Sequence, residues 1–160
     1  MKKSTILLLV VVYILSFFII GLLGNSIRSY NPTIDVTSIE LVEPDNKTTR
    51  KEDVKDTEGN PIADYYFIYR NYSSLDKVRI KAIVKPDNST YNTVDFIKDS
   101  QNETFNFKTH DTNPDEIEPN FVEISLNEIP ETPLSARFVV RSTNPGIKIE
   151  VVAQIVFANL

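Results

Sequence analysis

The chain has no cysteine, no tryptophan, one histidine and one methionine in 160 residues. Without cysteine there is no disulfide, no thiol nucleophile, no thiolate zinc site and no lipid-modified cysteine. The lone histidine, His110, would have to serve any Ser-His-acid triad. It stands in a polar stretch beside Asp111, and no G-x-S-x-G sequence exists to hold a nucleophile. The missing Trp and Cys also remove the core signature of antibody-type domains. Carboxylate pairs are too numerous among 22 acidic residues to indicate glycosidase chemistry, which depends on their separation in space. Catalysis is therefore not expected.

Acidic residues are absent from the first 30 positions. Beyond residue 30 lie all 22 of them and 14 of the 17 basic ones, a net charge of −8. Such a domain is repelled by phosphate backbones and anionic headgroups, so no nucleic-acid partner is expected.

This acid-free start holds the dominant feature, the uncharged eighteen-residue apolar run Ile6 to Leu23. As a helix rising ~1.5 Å per residue it covers roughly 27 Å, close to a bilayer's hydrocarbon thickness. It exceeds the ~7–15 residue core of a secretory signal and reads as an uncleaved single-pass anchor. The one passable cleavage site is Gly24-Asn25-Ser26, and cleavage after Ser26 would give a secreted domain instead. Lys2, Lys3 and the amino terminus outweigh Arg28, which puts the amino terminus inside and the remainder outside the cell. Tyr13, Ser16, Gly21 and Gly24 do not form a G-x-x-x-G pair. The organisation expected is an anchor over 1–30 and one extracytoplasmic domain over 31–160.

That domain reads as strands throughout. Thr33 to Glu43 alternates, slips phase at Thr37-Ser38 and resumes with Ile39 and Leu41, as a β-bulge or sheet crossing would require. Residues 44–63, polar and without aromatics, predict a long loop, with turn chemistry at Glu58-Gly59-Asn60-Pro61. Asp64 to Tyr72 is the aromatic strand, its tyrosines suited either to a core edge or to stacking on a sugar or peptide. Lys77 to Lys85 alternates without fault, Val78, Ile80, Ala82 and Val84 inward and Lys77, Arg79, Lys81 and Lys85 outward. The outward cations read as a guarded solvent face or as partners for acidic neighbours. Strands are also expected at Thr93–Lys98, Glu103–Thr109 and Phe121–Leu126.

Asn144-Pro145-Gly146-Ile147 carries the type II turn signature. Pairing Asn144 with Ile147 sets Val140 against Val151, Phe138 against Ala153 and Arg141 against Glu150. Apolar residues then meet on one face and opposite charges on the other. In sum the sequence predicts an all-β domain, an immunoglobulin-like β-sandwich of about 7–8 strands preceded by one transmembrane helix, with a jelly-roll as the alternative.

The one stretch resembling a site is residues 110–118. Asp111, Asn113 and Asp115 repeat the alternating oxygen ligands that open a calcium loop, and Glu116 and Glu118 add carboxylates. Against an EF-hand, Glu116 replaces the required Gly, Pro114 stiffens the turn and Val122 stands where a bidentate Glu belongs. A sandwich-type Ca²⁺ site is the candidate here, beside a plain solvated loop. Asn46, Asn71, Asn88 and Asn102 each head an Asn-x-Ser/Thr sequence.

The function expected is that of a non-catalytic, membrane-anchored protein whose outer domain binds or braces another cell-envelope component. The alternatives are a calcium-assisted carbohydrate- or peptide-binding module, and an accessory subunit contacting a membrane complex through its helix.

Overall fold

The computed structural model describes residues 3–29, 32–70, 73, 76–99, 104–129 and 131–158. Two compact units divide the chain, Met1–Thr33 and Ile34–Leu160.

The first unit is helix α1, Lys3–Ser29, longer at both ends than the apolar run. No proline interrupts it before Pro32, which cannot continue a helix. Within it Ser16 returns its hydroxyl to the Val12 carbonyl at 2.8 Å, and Tyr13 and Phe17 meet edge-on at 5.0 Å, one turn apart. Its stretch Lys3–Leu22 is long and apolar enough to cross a membrane. The Gly24-Asn25-Ser26 sequence falls inside helical backbone.

The second unit is β-structure. Its strands are β1 (Ser38–Val42), β2 (Thr48–Lys51), β3 (Tyr65–Arg70), β4 (Lys77–Lys85), β5 (Val94–Lys98), β6 (Phe105–Thr109), β7 (Phe121–Leu126), β8 (Leu134–Ser142) and β9 (Glu150–Ala158). They form a four-stranded sheet in the order β1-β4-β7-β6 and a five-stranded sheet in the order β2-β3-β9-β8-β5. Neighbours are antiparallel except β3 and β9, which run parallel.

Alternation puts one face of each sheet into a shared core. From the first sheet come Ile39, Leu41, Val78, Ile80, Val122 and Ile124; from the second, Phe67, Ala136, Phe138, Val140, Ile155 and Phe157. Aromatic rings join the layers: Phe105 lies 5.6 Å from Phe157, and Phe107 meets Phe138 edge-on at 5.7 Å. Burying each such side chain contributes roughly 1.5–3 kcal/mol, so the core supplies the stability that disulfides would otherwise add.

The β4 pattern holds residue by residue: Val78, Ile80, Ala82 and Val84 are buried. Its cations are engaged: Lys77 pairs with Glu123 at 2.8 Å, Lys85 with Asp87 at 2.8 Å, and Arg79 and Lys81 lie over the Phe121 ring. The phase slip at Thr37-Ser38 is also present. Val36 and Ile39 are both buried with two exposed residues between them. Before the slip Ile34 bonds Thr90, and after it β1 pairs with β4.

Two expectations are corrected. Residues 44–63 are no structureless loop, and the strand count rises to nine among the described residues. Thr48–Lys51 pairs with β3 through its backbone, and Glu43 organises the approach by accepting from the Asp45 and Thr48 amides at 2.8 and 2.9 Å. Farther on, Asp56 accepts from the Glu58 and Asn60 amides, both at 2.9 Å, and Lys55 bridges Pro61. The Asn60 amide above all holds the Asp56 carboxyl below its ordinary range. Second, the 144–147 turn is not type II, because Gly146 lacks the positive φ that type II demands; only Gly59, at 87°, has it among the described glycines. The Asn144 side chain closes the turn instead, accepting from the Gly146 amide at 3.1 Å. The hairpin register is nevertheless the expected one, Val140 against Val151, Phe138 against Ala153 and Arg141 against Glu150. The aromatic strand is described over Tyr65–Arg70; Asn71 and Tyr72 of the expected stretch lie outside the described residues.

Candidate functional site

The 109–120 connection leaves β6 through a tight turn. The Thr112 hydroxyl donates to the Thr109 carbonyl at 3.0 Å and accepts from its amide at 2.9 Å. A helical turn follows, with the Asn113 carbonyl accepting from the Glu116 and Ile117 amides. Ile117 is the hydrophobic pin of this segment, 4% exposed. His110 Nδ1 lies 2.7 Å from the Ile117 carbonyl oxygen. A carbonyl only accepts, so Nδ1 carries a proton and donates it.

Asn120 fixes the far end. It holds a left-handed backbone, φ 65°, which asparagine tolerates better than most residues. Its side-chain amide donates to the Asn92 carbonyl at 2.7 Å, and its Oδ1 accepts from the Val94 amide at 3.0 Å. The side chain thus imitates a peptide group of a neighbouring strand and ties the start of β5 in one sheet to the start of β7 in the other.

Between these elements lies a cleft of about 190 Å³. Asp95 and Phe96 of β5 form one wall, His110 and Asp111 the other, with Pro119, Asn120 and Phe121 at the end. Two carboxylates and one imidazole line it, with no lysine or arginine, so its field favours a cationic or hydrogen-bond-donating group. The Thr93 and Thr143 hydroxyls at its rim bond each other at 2.9 Å.

The sequence-predicted residues divide between two places. Asp111 stands at this cleft beside His110, whereas Asp115, Glu116 and Glu118 are exposed around an adjoining hollow that shares His110 and Pro119 with the cleft. Asn113 donates to Glu116 Oε2 at 2.7 Å, and Lys108 stands 3.9 Å from the same oxygen. Among the described residues no three His, Asp or Glu side chains converge into a group able to hold a metal ion. Asp95 and Asn120 escaped the sequence reading. Asp95 is one outward polar residue in an ordinary alternating strand, and nothing local marks Asn120 as a bridge to residues 92–94.

The aromatic strand is largely occupied by the fold. Tyr65 stacks on Phe67 at 6.4 Å, carries Arg50 over its ring at 4.5 Å and donates its hydroxyl to the Ile39 carbonyl at 3.3 Å. Tyr69 is buried against Phe157 and bonds Asp76, and burial chiefly, then that carboxylate, pushes its phenol up to about 12.

Comparison with protein-family models, with curated proteins and with solved structures finds no match to this chain.

Proposed function

We propose that the chain is a single-pass membrane-anchored protein whose extracytoplasmic β-sandwich binds or braces another cell-envelope component, without catalysis of its own. The observation that carries this reading is α1. Its large apolar side chains from Ile6 to Leu22 are between 49% and 70% exposed on every side of the helix, a surface that water would not tolerate and lipid would. The cations at the amino terminus support an outward-facing second unit.

Strand order supports an immunoglobulin-like sandwich over a jelly-roll. Lettering β1 as A, β4 to β9 as B to G and β3 as a split A strand turns the first sheet into A-B-E-D and the core of the second into G-F-C. Sandwiches of this kind serve mainly as binding and spacing modules, and here the fold is analogy, while the anchor is the physical argument.

Gentle detergent extraction from the native membrane, followed by native mass determination, tests the reading. A stoichiometric protein partner that stays bound when α1 is replaced by an unrelated anchor is the expected result. Loss of that partner on the helix swap would assign the contact to the helix, as in an accessory subunit.

The Asp95–Asp111 cleft favours a second reading, a small ligand-binding module for a carbohydrate or peptide. Calcium assistance through Asp111, Asn113, Asp115, Glu116 and Glu118 would require these side chains, which do not converge in the structure, to close on the ion. A melting temperature that rises in millimolar Ca²⁺ is its signature, since a ligand of the native state must stabilise it. An unchanged value removes the calcium part.

A further inference from the structure

We propose that Asn46 and Asn88 are N-glycosylation sites, an inference that rests on the extracytoplasmic placement of the β-domain. With 14 Asn and 25 Ser plus Thr in the chain, chance supplies about two Asn-x-Ser/Thr sequences, and there are four. Asn46 falls in the connection between β1 and β2, and Asn88 in that between β4 and β5. Asn71 and Asn102 lie outside the described residues.

Asn46 and Asn88 combine the sequence with an uncommitted nitrogen for a glycan to take. Five described asparagines outside these sequences donate their side-chain N–H to a partner: Asn60 to Asp56, Asn106 to Asn127, Asn113 to Glu116, Asn120 to Asn92 and Asn144 to Asp35. Asn92 is exposed but has no Ser or Thr two residues on. Asn46 and Asn88 are exposed, and among the described residues their side-chain amides make no hydrogen bond. Their neighbours are held. Thr48 donates its hydroxyl to Glu43 at 3.2 Å, Ser89 is buried with its hydroxyl near the Ile34 and Tyr91 carbonyls, and the Thr90 hydroxyl accepts from the Ile34 amide at 2.9 Å. Each turn is thus fixed by its flanking residues while the asparagine projects into solvent. A bulky substituent there displaces no contact.

The chemistry balances without an oxidant. The donor is an oligosaccharide carried on a polyprenyl phosphate and transferred by a separate membrane enzyme. Asn Nδ2 attacks the anomeric carbon, a C–N bond forms, the bond from that carbon to the phosphate oxygen breaks with its electron pair leaving on the lipid phosphate, and the amide proton is lost to base.

The test is intact-mass and peptide mapping of the full-length chain from its native membrane. Glycan on the peptides containing Asn46 and Asn88 is expected, with one increment lost in Asn46→Gln, one in Asn88→Gln and none in Asn113→Gln. Unmodified Asn46 and Asn88 peptides overturn the proposal. Treating the same intact cells with a membrane-impermeant amine reagent separates the causes. A labelled domain with bare asparagines sinks this inference alone, whereas an unlabelled domain sinks the extracytoplasmic reading with it.

Discussion

The side-chain amide of Asn144 donates to the Asp35 carboxylate at 3.0 Å across 109 residues of sequence, tying the β8–β9 turn to the segment that leads into β1. Asn144 is only 7% exposed, its own amide donates to the Ser142 hydroxyl at 3.0 Å, and its Oδ1 closes the turn on Gly146. Asn144→Ala should therefore cost about 1–3 kcal/mol, the range for leaving buried polar groups unpaired. Asn144→Asp should cost more at neutral pH, where two carboxylates would face each other, and recover part of the loss on acidification. Urea unfolding at two pH values reads both effects.

Phe138 has no exposed surface and lies between Phe96, at 6.4 Å, and Phe107 of the opposite sheet. Phe138→Ala should destabilise by about 3–5 kcal/mol through lost transfer energy and an unfilled cavity. Ile97→Ala, on the same sheet but 37% exposed, should cost far less, within about 1 kcal/mol. Thermal or denaturant unfolding separates the two.

Asn120 combines a left-handed backbone with two inter-sheet hydrogen bonds. Asn120→Ala should lose both bonds and retain the strain, about 2–4 kcal/mol together. Asn120→Gly loses the same bonds but relieves the backbone, and should be less destabilised by about 1 kcal/mol. Equal losses in the two variants would remove the strain from the argument.

The Tyr69 phenol stands at about 12 in the fold against 10.0 ordinarily, so the folded state holds its proton more tightly than the unfolded chain. That stability is complete below pH 10 and fades as pH rises towards 12, by about 1–3 kcal/mol in all. Stability measured from pH 9 to 12 should fall in the native protein and fall less in Tyr69→Phe. The depressed carboxyls of Asp56, Asp76 and Glu150 act at the other end. Their contribution is present above the ordinary carboxylate range and is lost as pH falls through their lowered values.

The parts of this fold legible in the sequence are those encoded by local alternation. The β4 pattern names its inner and outer faces, and the β8–β9 register follows from matching apolar and charged pairs across one turn. β2 was hidden because Thr48-Thr49-Arg50-Lys51 has no apolar residue to alternate; backbone pairing with β3 makes the strand, and Arg50 over Tyr65 covers it. The parallel union of β3 and β9 was equally hidden, since side-chain alternation carries no direction. At the candidate site the stretch 110–118 drew notice for its carboxylates. Its most distinctive neighbours, Asp95 and Asn120, belong to the cleft through contacts that arise only when two sheets close together.

The most direct test of the account is the location of the two units in the native cell. Intact cells are treated with a membrane-impermeant amine reagent, and their membranes are then washed at alkaline pH to strip peripheral proteins. The account predicts labelled lysines in the β-domain, Lys51 and Lys81 among the exposed ones, on full-length protein that remains with the membrane. Release of the protein by the wash, or lysines labelled only after the cells are broken, would contradict it.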